Sequence, residues 1–378
     1  MKQRFLFAIS ALLFIVSCSK ETVFQDQEMI SPPPAYITSS GQPEYANQYY
    51  TSNTTGRQQF DFYQRADNTT DKGIVLAIHG GGWVTGPETN SSETIFNIPD
   101  WNLINQLNNE GYNCIVMKYR LPVYTTLNSG TSNTGIYYTR IMDDIDSMLN
   151  WIQTHNTIGN SFSFNNSKIA LLGESAGSHL ALMYAYQHYQ NSALKTVIAF
   201  FPGTDLSQTS TICPKPDNKI HFYLRLPYNP DNPDNPEYTE GTSPNACDDE
   251  DMPFNFYALR AFDCMIGNNN SNSSAIAKAA RKEKSPVWFF DNANPSRITK
   301  TQATKTLLLH GTGDELITHN QTQLLAKKLG LPTGALIMEA SNTRHRYRLL
   351  AGYNHGWAGN SFTPVWNEVK SWLASKMQ

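Results

Sequence analysis

The sequence predicts an α/β protein whose central, mostly parallel sheet is covered by helices on both faces. Three observations predict this fold. Short apolar runs alternate along the chain with segments whose apolar residues recur at helical spacing, which is typical of strands buried between helices. One apolar run, residues 168–172, ends in a Gly-x-Ser-x-Gly turn, a sequence typical of a strand that breaks sharply into a helix. The alternation stops over residues 205–284, which we interpret as an insertion.

The first residues have the pattern of a bacterial lipoprotein signal peptide. Lys2 and Arg4 precede an apolar stretch over residues 5–16, which is too short to remain as a membrane span. The Ile-Val-Ser-Cys ending at Cys18 resembles a lipobox, so we expect residues 1–17 to be removed and Cys18 to carry a lipid that anchors the protein to a membrane. No aspartate follows Cys18, which favours the outer membrane, on either its periplasmic or its outer face. The alternative is an ordinary secretory signal with an incidental cysteine.

A tether and one folded domain follow the signal peptide. Residues 18–57 are polar, and we interpret them as a tether to a domain over residues 58–378. Strands are predicted at residues 59–63, 73–79, 113–119, 168–172, 197–201, 305–310 and 335–339. Helices are predicted around residues 101–107, 141–152, 175–189, 321–329 and 365–376.

The insertion at about residues 205–284 is rich in proline and asparagine. Proline at this density opposes regular helix and central strand, and a structureless loop of this length is usually functional. We therefore interpret the insertion as a lid or cap between two core strands.

Four cysteines follow the predicted lipidation site, namely Cys114, Cys213, Cys247 and Cys264. Outside the cytoplasm they could form disulfides, in any of the three connectivities that four cysteines allow. Cys114 lies in an apolar strand pattern, so we expect it to be a buried free thiol. A bridge between Cys213 and Cys247 would close a long loop in the insertion.

The composition limits the classes of function. The chain has 378 residues, of which 40% are hydrophobic and 16% charged, and its net charge is −3. This balance allows a sizeable core but gives no basic face of the kind that nucleic-acid binding usually needs. No Cys/His spacing predicts a zinc site. The acidic cluster at residues 248–251 could bind calcium, but we interpret it as a solvated loop. We therefore expect no nucleic-acid partner and no metal.

Ser175 is the candidate nucleophile, in the sequence Gly173-Glu174-Ser175-Ala176-Gly177. At such a nucleophile elbow the turn is so tight that residues beside the serine must lack bulk. A serine hydroxyl is a poor nucleophile at neutral pH and needs a base to take its proton. That base is normally a histidine whose tautomer is held by a carboxylate.

Asp314 is the candidate carboxylate. It follows the predicted strand over residues 305–310, and functional residues of open α/β sheets collect at such strand ends. Glu315 is its nearest competitor but lies one residue further into the turn. The alternative for Asp314 is a structural role as a helix N-cap or turn residue.

His355 is the candidate base among three histidines that follow Asp314. His319 is too close to Asp314 in sequence to reach the serine easily from another loop. His345 lies between two arginines, and we expect it to be exposed. His355 lies in a loop before the last predicted helix, from which it can reach Ser175, although a packed loop histidine is the alternative.

The triglycine that follows His79 is the candidate oxyanion site. Attack on a carbonyl places negative charge on its oxygen, and backbone N–H groups must already point there. We expect the N–H groups of Gly81, Gly82 and Ala176 to hold that oxygen, with His79 positioning the loop. The alternatives are a flexible turn or a phosphate-binding loop, although the spacing of known phosphate-binding motifs is absent.

Together these motifs resemble the α/β-hydrolase superfamily, in the esterase/lipase branch that has a His-Gly-Gly-Gly motif and includes hormone-sensitive-lipase-like enzymes and bacterial carboxylesterases. The elbow, the triglycine, the motif ending at Asp314 and the His-Gly at His355 match that branch, as does Tyr-Arg-Leu at residues 119–121. Ser178 stands where a second glycine is often found after the elbow. The resemblance spans roughly residues 58–378 apart from the insertion.

The resemblance implies an α/β-hydrolase fold and a serine carboxylic-ester hydrolase that needs no cofactor. Ser175 would attack the ester carbonyl with His355 as base and Asp314 as its orienting partner, through an acyl-enzyme. The expected substrates are small-molecule or glycan esters with short acyl groups, including acetyl or feruloyl groups on glycans.

Three other functions are alternatives. A lipase is the nearest, although the insertion lacks a long apolar helix to serve as an interfacial lid. A serine peptidase of the prolyl-oligopeptidase type shares the elbow, but the triglycine loop and the lack of a propeller domain disfavour it. The third is a non-catalytic binding lipoprotein, which would typically have lost the serine or the histidine.

Overall fold

In the part of the chain that the computed structural model describes, a nine-stranded sheet forms the centre of the protein. The described residues are 43–52, 57–83, 86, 102–121, 138–159, 162–208, 212–214, 220–222, 262, 265–266, 275–314, 317–357 and 360–378. The strands there are β1 (Tyr45–Tyr49), β2 (Gln59–Tyr63), β3 (Ile74–Ile78), β4 (Asn113–Met117), β5 (Thr157–Ile158), β6 (Phe162–Ser163), β7 (Ile169–Glu174), β8 (Leu194–Phe200), β9 (Ile212–Pro214), β10 (Ile220–Phe222), β11 (Lys305–Gly311), β12 (Glu339–Ser341) and β13 (His345–Leu350). The helices are α1 (Leu103–Asn109), α2 (Tyr138–Thr154), α3 (Ala176–Gln187), α4 (Ala275–Glu283), α5 (Asn320–Lys328) and α6 (Thr363–Lys376).

Neighbouring strands in the middle of the sheet are parallel. The order is β1-β2-β4-β3-β7-β8-β11-β13-β12. The pairs from β4 to β13 are parallel, while β1, β2 and β12 join by antiparallel pairing. Because the carboxyl ends of parallel strands lie at one edge of a sheet, the residues that follow β3, β7 and β11 come together.

Both faces of the sheet are buried. In β3, Ile74, Leu76 and Ile78 belong to one core cluster, whereas Val75 and Ala77 belong to another. The first cluster includes apolar residues of α2, α3 and α5, and the second includes those of α1 and α6. Strands buried on both faces need continuous apolar runs, which is why the sequence predicted them well.

The last part of the sheet differs from the prediction. The strand predicted at residues 335–339 is misplaced, since β12 covers Glu339–Ser341, and β13 was not predicted. Alternate residues of β13 face the core, and His345, the first of them, is buried and not exposed as expected. Its Nε2 lies 2.8 Å from the Lys300 carbonyl oxygen, and burial lowers the pKa of His345 to about 4.

The tether is shorter than predicted, because β1 is part of the sheet. Tyr45 pairs with Phe62 of β2. The Asn47 backbone N–H donates to Asp61 Oδ1 at 2.7 Å, and Lys118 Nζ donates to Asn47 Oδ1 at 2.7 Å. The prediction that the tether extends to residue 57 is therefore wrong. Strand β1 was missed because its residues are mostly exposed or half-buried and show no alternation of apolar and polar residues.

Several predictions fall outside the described residues. Residues 1–42, with the signal peptide and Cys18, are among them, so lipidation stays a prediction. Cys114 is buried and free, as predicted, whereas Cys247 and Cys264 lie outside the described part of the chain. In that part, no helix has the length and apolar character needed to cross a membrane.

The two ends of the insertion lie side by side. The Leu206 N–H donates to Ser285 Oγ at 2.8 Å, and the Val287 N–H donates to the Thr204 carbonyl at 3.1 Å. Between them, the structure describes the antiparallel strands β9 and β10 and helix α4, which forms in a part without proline. Most of the rest is outside the described residues, so the lid or cap stays a prediction.

An ion pair with a buried carboxylate joins the segment after β4 to helix α2. The Asp144 side chain is fully buried and lies 2.7 Å from Arg120 Nη2. Its carboxylate also accepts the Arg120 backbone N–H at 2.8 Å and Gln58 Nε2 at 2.8 Å. This fixes the Tyr-Arg-Leu segment, which contacts the candidate site described below.

We expect replacement of Asp144 by Ala to lower the free energy of unfolding by about 2 kcal/mol, because Gln58 Nε2 and the Arg120 backbone N–H lose their buried acceptor. Asp143→Ala, at an exposed position of the same helix, is the matched control and should change it by less than about 0.5 kcal/mol. Urea unfolding followed by circular dichroism measures both. Equal midpoints for the two variants would contradict the prediction.

Candidate active site

Ser175 lies at a sharp turn between β7 and α3. Its φ is 49° and its ψ is −118°, a conformation that costs a non-glycine residue about 1–3 kcal/mol. A Cβ on Gly173 would lie 2.4 Å from the Gly177 carbonyl oxygen, and one on Gly177 would lie 2.1 Å from that of Ile78. Both flanking glycines therefore have the steric reason that the sequence predicted.

Three predicted residues from distant segments lie in series. Ser175 Oγ is 3.2 Å from His355 Nε2, and His355 Nδ1 is 2.8 Å from Asp314 Oδ2. Because a carboxylate only accepts hydrogen bonds, Nδ1 carries the proton and Nε2 is left to accept the serine proton. The arrangement can therefore move a proton from the hydroxyl to the imidazole.

The Asp314 carboxylate is buried and held by several donors. Burial on its own would raise the pKa of Asp314, but hydrogen bonds from His310 and His355 outweigh it, and the pKa lies below its ordinary range. The Ile317 backbone N–H donates to the other carboxylate oxygen, Oδ1, at 2.8 Å. Asp314 therefore remains ionised beside His355 at neutral pH.

The loop that carries His355 packs against the loop that carries Asp314. The Gly313 N–H donates to the Tyr353 carbonyl at 2.9 Å. A Cβ on Gly311 would lie 2.0 Å from the same carbonyl oxygen, so only glycine permits this approach. These contacts explain how a loop at the end of the chain brings its histidine to the acid.

Aromatic rings fix the position of the imidazole. The Phe201 ring contacts that of His355 edge-on, with centroids 4.6 Å apart. Trp357 is fully buried and packs on Phe200 and Phe201, with centroids 4.8 and 5.0 Å apart. The left-handed conformation of Gly356, with φ of 71°, lets the chain bury Trp357 directly after exposing His355.

The triglycine loop follows β3 and passes close to Ser175. A Cβ on Gly80 would lie 3.2 Å from Ser175 Cβ. Gly81 and Gly82 have φ of 91° and 59°, values that favour glycine. Ala176 is the first residue of α3, so the three predicted oxyanion donors belong to segments that adjoin the serine.

Buried side chains hold this loop. Tyr119 Oη donates to the carbonyls of His79 and Gly80, at 3.1 and 3.3 Å. The Gly80 N–H donates to Glu174 Oε1 at 3.1 Å. His79 stacks on Tyr119 and its burial lowers its pKa to about 3, so it supports the loop as an uncharged ring.

Sequence reasoning missed the contacts of several side chains that surround the site. Ser178, at the position of the missing glycine, is buried and its hydroxyl lies 2.6 Å from the Gly173 carbonyl and 2.7 Å from that of Phe200. His179 accepts a hydrogen bond from Trp83 Nε1 at 3.3 Å. His310 lies 3.1 Å from Asp314 Oδ2, and its only sequence signal was its position four residues before Asp314.

The other candidates do not join the series. His319 hydrogen-bonds the backbone of Thr312. His345 lies in β13 and hydrogen-bonds the Lys300 carbonyl. Glu315 lies outside the described residues. Within the described ranges, no group of three or more His, Cys, Asp or Glu side chains is arranged to hold a metal ion.

Comparisons with known proteins add a family and a fold. Residues 60–329 match the family model BD-FAE. A search of curated proteins found no match. A truncated carbohydrate esterase from gut microbiota has a similar structure, with a TM-score of 0.53 and 13% identity over 88% of this chain and 95% of that one.

Two further solved structures are similar. The bifunctional GH43-CE protein of Bacteroides eggerthii has a TM-score of 0.54 and 12% identity, over 88% of this chain and 38% of that one. Esterase B from Lactobacillus rhamnosis has a TM-score of 0.51 and 16% identity, over 89% of this chain and 87% of that one. These similarities confirm the predicted α/β-hydrolase fold.

Proposed function

Because this chain belongs to the BD-FAE family, an esterase family of the α/β-hydrolase type, we propose that it is a serine hydrolase of carboxylic esters. The observation that carries the proposal is the unbroken series from Ser175 Oγ through His355 to Asp314 Oδ2, with contacts of 3.2 and 2.8 Å. A hydroxyl, an imidazole and a carboxylate in this order form the arrangement that activates serine in acyl transfer.

In the proposed reaction, His355 Nε2 takes the proton of Ser175 as its oxygen attacks the ester carbonyl. The imidazolium that results is stabilised by the ionised Asp314. The tetrahedral intermediate collapses as His355 gives its proton to the leaving alcohol, and the acyl group stays on the serine. Water, activated by the same imidazole, then releases the carboxylic acid and restores the serine.

The negative charge of the intermediate requires donors that are already in place. We assign this role to the N–H groups of Gly81, Gly82 and Ala176, because all three adjoin Ser175 in the chain or across the sheet. The hydrogen bonds of Tyr119 and Glu174 to the backbone at residues 79–80 support the assignment, since they fix the loop before the substrate binds. Loss of one such donor typically costs about 100- to 1,000-fold in rate.

The proposed substrates carry short acyl groups, with glycan esters of acetate or ferulate as the first to test. Two of the structurally similar proteins are described as a carbohydrate esterase and as a GH43-CE protein. A lipase and a prolyl-oligopeptidase-type peptidase are the enzymes that share the proposed nucleophile arrangement, so the same test must include their substrates.

The test is a substrate panel with p-nitrophenyl acetate, butyrate, octanoate and palmitate, acetylated xylan, a methyl ferulate, a triglyceride and a proline-containing peptide amide. We expect hydrolysis of the acetate, the butyrate and at least one glycan or ferulate ester, with rates falling as the acyl chain lengthens. Preference for palmitate and triglyceride would support the lipase. Absence of ester hydrolysis together with absence of fluorophosphonate labelling would overturn the proposal in favour of a binding protein.

A further inference from the structure

The carboxylate of Asp314 is bonded to a second histidine. His310 Nε2 lies 3.1 Å from Asp314 Oδ2, the oxygen that also accepts the His355 Nδ1–H at 2.8 Å. His310 is fully buried and is the next-to-last residue of strand β11. The reaction proposed above uses one of the two histidines, so the other needs an explanation.

The neighbours of His310 determine which ring nitrogen carries its proton. Nε2 faces only acceptors, since the Ile317 carbonyl oxygen lies 2.7 Å from it in addition to the Asp314 oxygen. Nε2 must therefore donate. Nδ1 lies 2.8 Å from the hydroxyl of Thr322, which is fully buried on α5. A threonine hydroxyl can donate to a bare ring nitrogen, so the Nε2–H tautomer satisfies every partner.

We infer that His310 is a positioning residue that sets the strength of Asp314 as a partner for His355, and that Thr322 holds His310 in the tautomer required. The inference rests on the proposed esterase function for its kinetic consequences, whereas the hydrogen bonds themselves do not depend on it. Extended in this way, the series runs from Thr322 through His310, Asp314 and His355 to Ser175.

Two physical effects follow from the extra hydrogen bond. Among the described residues, the Ile317 N–H donates to Oδ1 and the two histidines donate to Oδ2, which opposes rotation of the carboxylate away from His355. The His310 N–H also withdraws charge from Oδ2, because a donor to a carboxylate stabilises its ionised form. Oδ2 then attracts the proton on His355 less strongly than a bare carboxylate oxygen would.

One other titratable side chain faces this cluster within the described part of the chain. His319 interacts electrostatically with both His310 and Asp314, and its own pKa is lowered mainly by burial. Its hydrogen bond goes to the Thr312 backbone and not to Asp314. A His319→Gln background therefore separates its charge from the effect of His310.

The experiment compares His310→Met, which removes the donor, with His310→Gln, whose Nε2 can still donate to Asp314. For each, kcat and kcat/KM for p-nitrophenyl acetate are measured against pH. We expect His310→Met to lower kcat by about 10- to 100-fold, because the Asp314 carboxylate can then rotate away from His355 and the catalytic groups lose their alignment. We also expect it to move the acidic midpoint of the kcat/KM–pH profile to higher pH by about one unit, because Oδ2 then attracts the proton on His355 more strongly. His310→Gln should keep the wild-type midpoint and most of the rate.

A second pair of variants tests the tautomer. Thr322→Val removes the hydroxyl with little change in volume, whereas Thr322→Ser keeps it. Thr322→Val should move the acidic midpoint in the same direction as His310→Met, and Thr322→Ser should not. If His310→Met and Thr322→Val only lower thermal stability and leave the acidic midpoint at the wild-type pH, also in the His319→Gln background, the inference is wrong.

A spectroscopic measurement separates this inference from the proposed function. The chain has nine histidines, and His355→Gln identifies the ring signals of His355 in a ¹⁵N–¹H NMR titration. We expect His310→Met to raise the titration midpoint of those signals whether or not the protein hydrolyses esters. An inactive wild-type protein with this shift would overturn the esterase but keep the role of His310, and an active protein without it would do the reverse.

Discussion

Replacement of Ser175 by Ala is expected to lower kcat for p-nitrophenyl acetate by about 10⁶-fold, the loss seen when a catalytic serine is removed from such a triad. The alanine has no oxygen at the position 3.2 Å from His355 Nε2, so no acyl-enzyme can form. Stopped assays with both proteins, together with mass spectrometry after fluorophosphonate treatment, measure the effect.

Ser178→Ala is the matched control, three residues further along the chain in the first turn of α3. Its hydroxyl is buried against the carbonyls of Gly173 and Phe200, so the substitution should cost about 1–2 kcal/mol of stability. Fluorophosphonate should still label Ser175 in this variant. Wild-type hydrolysis by Ser175→Ala, or labelling that persists in it, would remove Ser175 from the mechanism.

Replacement of Asp314 by Asn is expected to lower kcat by about 10⁴-fold, because it reverses the tautomer of the base. The carboxylate accepts Ile317 N–H on one oxygen and both histidines on the other. An amide has one acceptor oxygen, so if Ile317 keeps it, the amide N–H groups face the histidines. His355 then turns its bare Nδ1 to the amide and its protonated Nε2 to Ser175, where it cannot accept a proton.

The same variant tests the pH dependence of stability. The pKa of Asp314 is lowered on folding, although burial opposes the shift, because hydrogen bonds from His310 and His355 favour the carboxylate. A group with a lowered pKa contributes stability above its unfolded pKa of about 3.9 and loses it as the pH falls through the folded value. The stability difference between wild type and Asp314→Asn in urea should therefore be constant near pH 7 and shrink below about pH 4. A difference that grows on acidification would contradict the lowered pKa.

The sequence was sufficient where local pattern decides the structure. The strands before Ser175 and Asp314 are continuous apolar runs, and a strand buried on both faces must have that composition. The flanking glycines of the elbow and the order of the candidate residues along the chain were likewise visible without coordinates. For these reasons the predicted nucleophile, acid and base are the residues found in contact.

The sequence was insufficient where distant contacts decide. Strand β13 begins His-Arg-Tyr-Arg, and its two arginines hid the pattern of a strand with one buried face. The fold explains one of these charges, because Arg346 pairs with Glu368 of helix α6 at 3.0 Å. His310 was treated as part of a motif, because only the fold shows its ring turned to Asp314. Strand β1 gave no signal, since its partner β2 defines it.

The side-by-side ends of the insertion have a consequence for how the chain tolerates changes of length there. The Leu206–Ser285 and Val287–Thr204 hydrogen bonds hold the two ends of the insertion next to each other. The entropy of closing a loop whose ends are already fixed grows only slowly with its length. Changes of length between these hydrogen bonds should therefore alter the free energy of unfolding only a little, because the residues that hold the two ends belong to the core.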